Sequence, residues 1–142
     1  MATGTVGGVK GRRDRRWGGL WGCVLALVAV ACAKDDGQIA QRLASLPPTP
    51  AEHRTGEQLF ERNCAGCHGP KGGGSALGPP LVHRVYEPSH HSDDAFFLAA
   101  RNGVAAHHWR FGNMPAQPQV SRLDLVSIIA YVRWLQRQAG VY

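Results

Sequence analysis

The most constraining feature of this 142-residue chain is the pentapeptide Cys64-Ala65-Gly66-Cys67-His68. Two thiols three residues apart lie on one turn, where each can add to one vinyl group of a porphyrin. The imidazole of His68 is then held beneath the ring and can bind its iron. The C-x-x-C-H spacing therefore predicts one covalently attached haem c, bound by Cys64, Cys67 and His68.

Three other interpretations of the paired cysteines are less well supported. A zinc knuckle needs a second ligand pair, and the remaining cysteines, Cys23 and Cys32, lie in an apolar N-terminal leader. A thioredoxin-like dithiol follows a strand in a βαβ unit, whereas the residues before Cys64 have helical character. A structural disulfide does not require His68. The context thus favours haem.

The N-terminal segment predicts export from the cytoplasm. Residues 1–16 are polar and basic, and an apolar run extends from Trp17 to Ala31. This order is typical of a secretory signal, and the run is shorter than the roughly 20 residues of a membrane span. The flanking pattern of a twin-arginine signal is missing, and the segment is neither amphipathic nor serine-rich, as a mitochondrial transit peptide would be.

The end of this leader resembles a bacterial lipoprotein processing site, with Ala31 before Cys32 and charged residues soon after. It departs from that pattern at Ala29, where a larger aliphatic residue is usual. The alternative is ordinary cleavage after an A-x-A sequence at 29–31 or 31–33. We predict a leader over residues 1–32 and a lipid on Cys32, which would anchor the protein at the outer, periplasmic face of a bacterial cytoplasmic membrane.

The mature chain is predicted to contain one domain. Residues 33–48 are polar and predict a tether or a loosely packed arm, in which Ile39–Leu43 could form a short helix, and residues 49–142 have enough apolar side chains for a single small domain. The formal net charge is +6, but residues 1–32 hold five basic residues and one acidic residue. The rest of the chain therefore carries only +2, and we predict no nucleic-acid partner.

Two helices and no strand are predicted between residues 49 and 103. The first extends from about Pro50 to Arg62 and begins with the capping-box pattern of Thr49 and Glu52. The second begins after Ser92, with acidic residues in its first turn, and stops at Asn102-Gly103.

A third helix is predicted from the Ser121 cap to about Gln138, ending at Gly140. Apolar residues recur in it at helical spacing: Leu125, Ile128, Ile129, Val132 and Leu135. The opposite, polar side is predicted to consist of Arg122, Ser127, Arg133, Gln136 and Arg137.

The sixth ligand of the iron has several candidates. Met114 lies outside any periodic helix, in a loop long enough to cross the far face of the haem. Histidines are the alternatives: His107 and His108, and more remotely His83, His90 and His91. The residues alone leave this choice open.

Together with C-x-x-C-H, the sequence Gly-Asn-Met-Pro at 112–115 resembles the small single-haem class I cytochromes c. The resemblance covers roughly residues 50–140 and extends to Gly56 and Phe60, to Gly-Pro-x-Leu at 78–81, and to residues 128–131. It implies an all-α fold, with about three main helices and long loops wrapped around one covalent haem. In that family the first and last helices cross at the glycine, Pro79 accepts a hydrogen bond from His68, and Met114 is the sixth ligand.

This resemblance implies an electron carrier rather than an enzyme. We expect electron transfer by one His68/Met114-ligated haem outside the cytoplasmic membrane, with redox proteins of the respiratory chain or a periplasmic dehydrogenase as partners. The alternatives are a haem subunit dedicated to one dehydrogenase or oxidase complex and, with less support, a haem sensor or peroxidase.

The segment His107-His108-Trp109-Arg110 has three interpretations. Trp109 or Arg110 could bind a haem propionate. The histidine pair could bind copper or provide an alternative haem ligand, although isolated histidine pairs are weak metal signals. The third interpretation is a solvated loop with one aromatic ring packed inward.

Overall fold

The computed structural model describes residues 1, 3–4 and 38–142. The chain divides into two units, Met1–Ala33 and Lys34–Tyr142, and all the helices described here belong to the second. Apart from residues 1 and 3–4, the predicted leader lies outside the described residues, as do its processing site at Cys32 and the start of the predicted tether. None of the described helices has both the length and the apolar character needed to cross a membrane.

The second unit is built from α-helices joined by long loops. The four main elements are α1 (Arg54–Asn63), α2 (Ala65–His68), α3 (Asp93–Asn102) and α4 (Arg122–Ala139), and 3₁₀ turns cover Ala51–His53, Pro70–Gly72 and Arg84–Tyr86. Residues 38–44 are also helical. Within 38–142 there is no strand, only an isolated antiparallel bridge between Val104 and Met114. The predicted all-α fold is confirmed.

The first helix begins later than its sequence predicts. Pro50 is extended, with ψ at 153°, and a 3₁₀ turn precedes α1. The Thr49 hydroxyl donates to Glu57 Oε1 over 2.6 Å, so it does not cap the turn that follows it. The prediction of a capping box is therefore wrong, because the Thr49 side chain bonds to Glu57 in the first turn of α1.

The other two helices begin and end within a residue or two of their predicted bounds. In α4, Ser121 Oγ accepts from the Asp124 N–H over 3.1 Å, and Asp124 Oδ2 accepts from the Ser121 N–H over 3.2 Å. Gly140, with φ at 72°, ends this helix. Ser92 precedes α3 without a side-chain cap bond, and Gly103 ends that helix as predicted.

Helices α1 and α4 cross at Gly56. A Cβ atom there would overlap the Ser127 carbonyl and lie 2.8 Å from Tyr131 Cβ, so only glycine permits this approach. Beside the crossing, the fully buried rings of Phe60 and Tyr131 have centroids 5.8 Å apart. This confirms the close contact that the resemblance to class I cytochromes c implied.

The polar side of α4 is partly buried. Arg133 and Gln136 are only 5% and 0% exposed. The Arg133 guanidinium donates to Asp93 Oδ1 over 2.8 Å and to the carbonyls of Tyr86 over 2.7 Å and His91 over 2.5 Å. Burial of this cation is tolerated because several oxygen acceptors surround it.

Part of the predicted tether packs onto the domain. Leu43 is 6% exposed and belongs to the hydrophobic core, and Arg42 Nη1 donates to the Ala139 carbonyl over 2.7 Å. Lys71 Nζ donates to the Leu43 carbonyl over 3.1 Å. Residues 38–44 are therefore held more closely to the domain than their polar composition indicates.

Candidate functional site

The C-x-x-C-H residues lie where α1 meets α2. Cys64 is the C-cap of α1 and also the N-cap of α2. Cys67 and His68 follow within the single turn of α2. Both thiols are free. Gly69 follows and turns the chain sharply away. Its φ is 73°, a left-handed value that is open mainly to glycine. One turn thus presents both thiols and the imidazole together.

The imidazole of His68 is buried and oriented. It is 8% exposed, and its Nδ1 lies 2.9 Å from the Pro79 carbonyl oxygen. Since a carbonyl only accepts, Nδ1 carries the proton and Nε2 keeps its lone pair. Burial lowers the pKa of His68, partly offset by the hydrogen bond to Pro79. The ring is thereby held neutral, in the form that binds a metal.

The two thiols differ in their surroundings. Cys67 is exposed, whereas Cys64 is half-buried. Burial raises the pKa of Cys64 to about 11, with a smaller contribution from nearby Cys67. Cys64 therefore remains a protonated thiol at neutral pH until it is chemically modified.

The loop carrying Met114 is fixed by backbone hydrogen bonds. Val104 and Met114 exchange two N–H to carbonyl bonds, each 2.9 Å long. Asn113 Oδ1 accepts from the Ala106 N–H over 2.9 Å and closes the loop further. Met114 itself is half-buried. This pairing, which sequence patterns did not predict, gives the backbone of Met114 a defined position.

One cavity of about 510 Å³ brings all four predicted site residues together: Cys64, Cys67, His68 and Met114 line its wall. Most of the remaining lining is apolar, contributed by α3, α4 and the loops, and includes Leu81, Phe96, Leu98, Leu125, Ile129 and Val132. A concave apolar cavity of this size with a few polar groups is typical of a site for a small molecule or cofactor.

The side chain of Trp109 indicates whether the cavity suits a porphyrin with charged propionates. Its side chain lines the cavity, and its indole Nε1 is buried without a well-formed hydrogen bond to any described residue. It lies near the Tyr86 hydroxyl, where it partly offsets the rise that burial causes in the pKa of Tyr86. Because Nε1 makes no well-formed bond to Tyr86, a propionate oxygen would be a better acceptor for this buried donor. The residues present therefore fit haem.

Histidines from two loops also approach the cavity. His91, His107 and His108 line it, whereas His83 and His90 do not. Desolvation, followed by the proximity of three other histidines, lowers the pKa of His108. The sequence indicated the histidine pair at 107–108, but not its contact with the histidines at 90–91. Contact between two separate loops leaves no local sequence pattern.

The comparison with known families agrees with this geometry. The family model described as Cytochrome c matches residues 54–136, more than half of the chain. The chain belongs to the cytochrome c family. No curated protein and no solved structure is similar enough to this cytochrome c to count as a match. Membership of the family implies haem-based electron transfer, the activity of an electron carrier rather than of an enzyme on its own.

Proposed function

We propose that this cytochrome c carries single electrons through one covalent haem whose axial ligands are His68 and Met114. The observation that carries the proposal is the single cavity lined by Cys64, Cys67, His68 and Met114. The hydrogen bond from His68 to Pro79 supports it, because iron-binding histidines are commonly oriented by a backbone acceptor in this way.

Each residue has a distinct proposed role. Cys64 and Cys67 would form thioethers with the porphyrin, His68 Nε2 and Met114 Sδ would bind the iron, and Trp109 Nε1 would donate to a propionate. When bound, the haem supplies an iron centre that alternates between the ferrous and ferric states. The protein's contribution is to hold, orient and shield that centre.

The proposed ligand pair explains why the site would transfer electrons rather than transform a substrate. A neutral thioether favours ferrous iron, so His/Met ligation raises the reduction potential relative to a bis-histidine pair. With His68 and Met114 both bound to the iron, small molecules would not reach the metal. Catalysis or gas sensing would need an open or labile position.

We further propose a periplasmic location on the outer face of the cytoplasmic membrane, based on the leader and the lipoprotein-like site at Cys32. The partners would be redox proteins of the respiratory chain or a periplasmic dehydrogenase. Purification of the native membrane complex tests this choice, since stoichiometric co-purification with one catalytic subunit would instead identify a dedicated subunit.

Covalent attachment is the first testable prediction. After expression in a cell with cytochrome c assembly machinery, acidified organic solvent should leave the colour on the polypeptide, because thioether bonds survive this treatment. Replacement of either thiol, by Cys64→Ser or Cys67→Ser, should leave one thioether, and the double variant should release the haem. Free extraction of haem from the wild type would contradict the assignment.

The ligation prediction rests on Met114. A thioether on ferric low-spin haem gives a weak far-red charge-transfer band, which histidine does not give. The oxidised wild type should show this band, and Met114→Ala should abolish it, lower the reduction potential and open the iron to carbon monoxide. Visible spectroscopy and a redox titration measure these changes.

The paired histidines provide the matched controls. His107→Ala and His108→Ala should keep the far-red band and leave the reduced protein closed to carbon monoxide. If the wild type lacks the band and a histidine substitution opens the iron, the ligation is bis-histidine. A wild type that already binds carbon monoxide at neutral pH would indicate a sensor or peroxidase.

A further inference from the structure

Four histidine rings from two separate loops converge beside the cavity. The centroids of His107 and His108 are 4.3 Å apart, and His108 lies 5.1 Å from His90 and 5.2 Å from His91. His90, His91 and His108 each offer a ring nitrogen, and these three atoms lie within 4.8 Å of one another. The proposed function gives this arrangement no role.

Hydrogen bonds to two of the rings determine which nitrogen is available. His91 Nδ1 lies 2.5 Å from the Val85 carbonyl oxygen, and His107 Nδ1 lies 2.9 Å from that of Ala105. Because a carbonyl only accepts, each Nδ1 carries the proton and each Nε2 keeps a free lone pair. A histidine that binds a metal through one ring nitrogen commonly donates the other to a carbonyl in this way.

The loop bearing His91 is itself anchored to the core. Arg133 Nη2 donates to the His91 carbonyl over 2.5 Å, and the same guanidinium donates to Asp93 Oδ1 over 2.8 Å. His91 is half-buried, whereas His90 and His108 are exposed. One ring is therefore held by a hydrogen bond and an anchored backbone, and the other two can rotate towards it.

We propose that His90, His91 and His108 bind a divalent first-row transition-metal ion, of which Zn²⁺ and Cu²⁺ are the best suited. Imidazole nitrogen is a preferred ligand of both ions, whereas Mg²⁺ and Ca²⁺ prefer oxygen. Two nitrogens bound to one zinc at about 2.0–2.1 Å lie at most about 4.2 Å apart. Rotation of the exposed rings of His90 and His108 closes the remaining gap, and a water molecule can complete the coordination.

The test is a titration of Zn²⁺ into the haem-loaded protein, purified without a polyhistidine tag and stripped of loosely held metal. Calorimetry should show one saturable site per chain, and Mg²⁺ should not compete. His108→Ala and His90→Ala should each weaken Zn²⁺ binding at least tenfold, because even loss of a group that only orients a metal ligand costs about 10- to 100-fold in affinity.

His53 supplies the matched control. Its ring packs against Trp134, with centroids 5.8 Å apart, and it is not in the cluster, so His53→Gln should leave Zn²⁺ affinity unchanged. The haem spectrum of each variant reports whether the domain has kept its fold. The proposal is overturned by the absence of saturable binding, by unchanged affinity in both cluster variants, or by an equal loss in His53→Gln.

Discussion

At the residue scale, the surroundings of Trp109 favour a hydrogen bond to a group from outside the chain. Its indole Nε1 is buried without a well-formed hydrogen bond, and its ring packs edge-on to His83 with centroids 5.0 Å apart. Leaving a buried donor without an acceptor costs about 1–3 kcal/mol. Of the three interpretations of residues 107–110, the geometry favours donation by Trp109 to a haem propionate.

This contact can be tested by Trp109→Phe, which keeps an aromatic ring but removes the donor. A propionate left without its hydrogen bond keeps more negative charge near the iron and favours the ferric state. We therefore expect a lower reduction potential, measured by redox titration. Trp134→Phe is the control, since Trp134 does not line the cavity. Equal potentials in the wild type and Trp109→Phe would contradict the proposed contact.

At the scale of whole elements, Arg133 joins α4 to the segment that leads into α3. Its bonds to Tyr86, His91 and Asp93 cross 40 or more residues of sequence. The Asp93 side chain is 62% exposed, so that ion pair contributes little by itself. The bond from Arg133 Nη1 to Gln136 Oε1, 2.7 Å long, is buried, so its loss costs more than loss of the ion pair.

Arg133→Met should therefore lower the free energy of unfolding by about 1–3 kcal/mol, chiefly because Gln136 Oε1 and the His91 carbonyl lose their donor. Arg133→Lys should not restore it fully, because an ammonium group cannot reproduce the planar fork of donors. Denaturant unfolding of the haem-loaded protein measures both. Arg137→Met, at an exposed position one turn away, serves as the control. A loss of equal size in the control would show that Arg133 has no special structural role.

At the scale of the whole molecule, only a short segment connects Cys32 to the folded unit. The described part of the folded unit begins at residue 38, and Ile39 and Leu43 pack in its core. A lipid on Cys32 would therefore be separated from the packed helix at 38–44 by only a few residues. Such a short connection would keep the haem domain close to the membrane surface.

Membrane attachment through Cys32 predicts a specific mature N-terminus. Mass spectrometry should detect an acylated chain beginning at Cys32, and Cys32→Ser should move the protein into the soluble fraction. More than one acyl chain is expected, because a single chain binds membranes only marginally. An unmodified chain beginning at Cys32 or Lys34 would rule out the lipoprotein, and one beginning near Met1 would indicate a peptide anchor.

Features that depend on neighbouring residues were predictable from the sequence. The spacing of Cys64, Cys67 and His68 sets which groups share one turn, whatever surrounds them. The ends of α3 and α4 follow from Gly103 and Gly140, both of which have positive φ. The family resemblance added the crossing at Gly56 and the Pro79 acceptor, and both contacts are present.

Features that depend on distant residues were decided only by the tertiary structure. Arg133 lies on the polar side of its helix by sequence, yet it is buried because the Tyr86–His91 loop folds over it. Leu43 lies in a polar segment but joins the core. His90 and His91 meet His108 although 17 or more residues separate them in sequence. Helical periodicity reports which residues share a face, whereas the loops that cover that face are determined by packing across the whole domain.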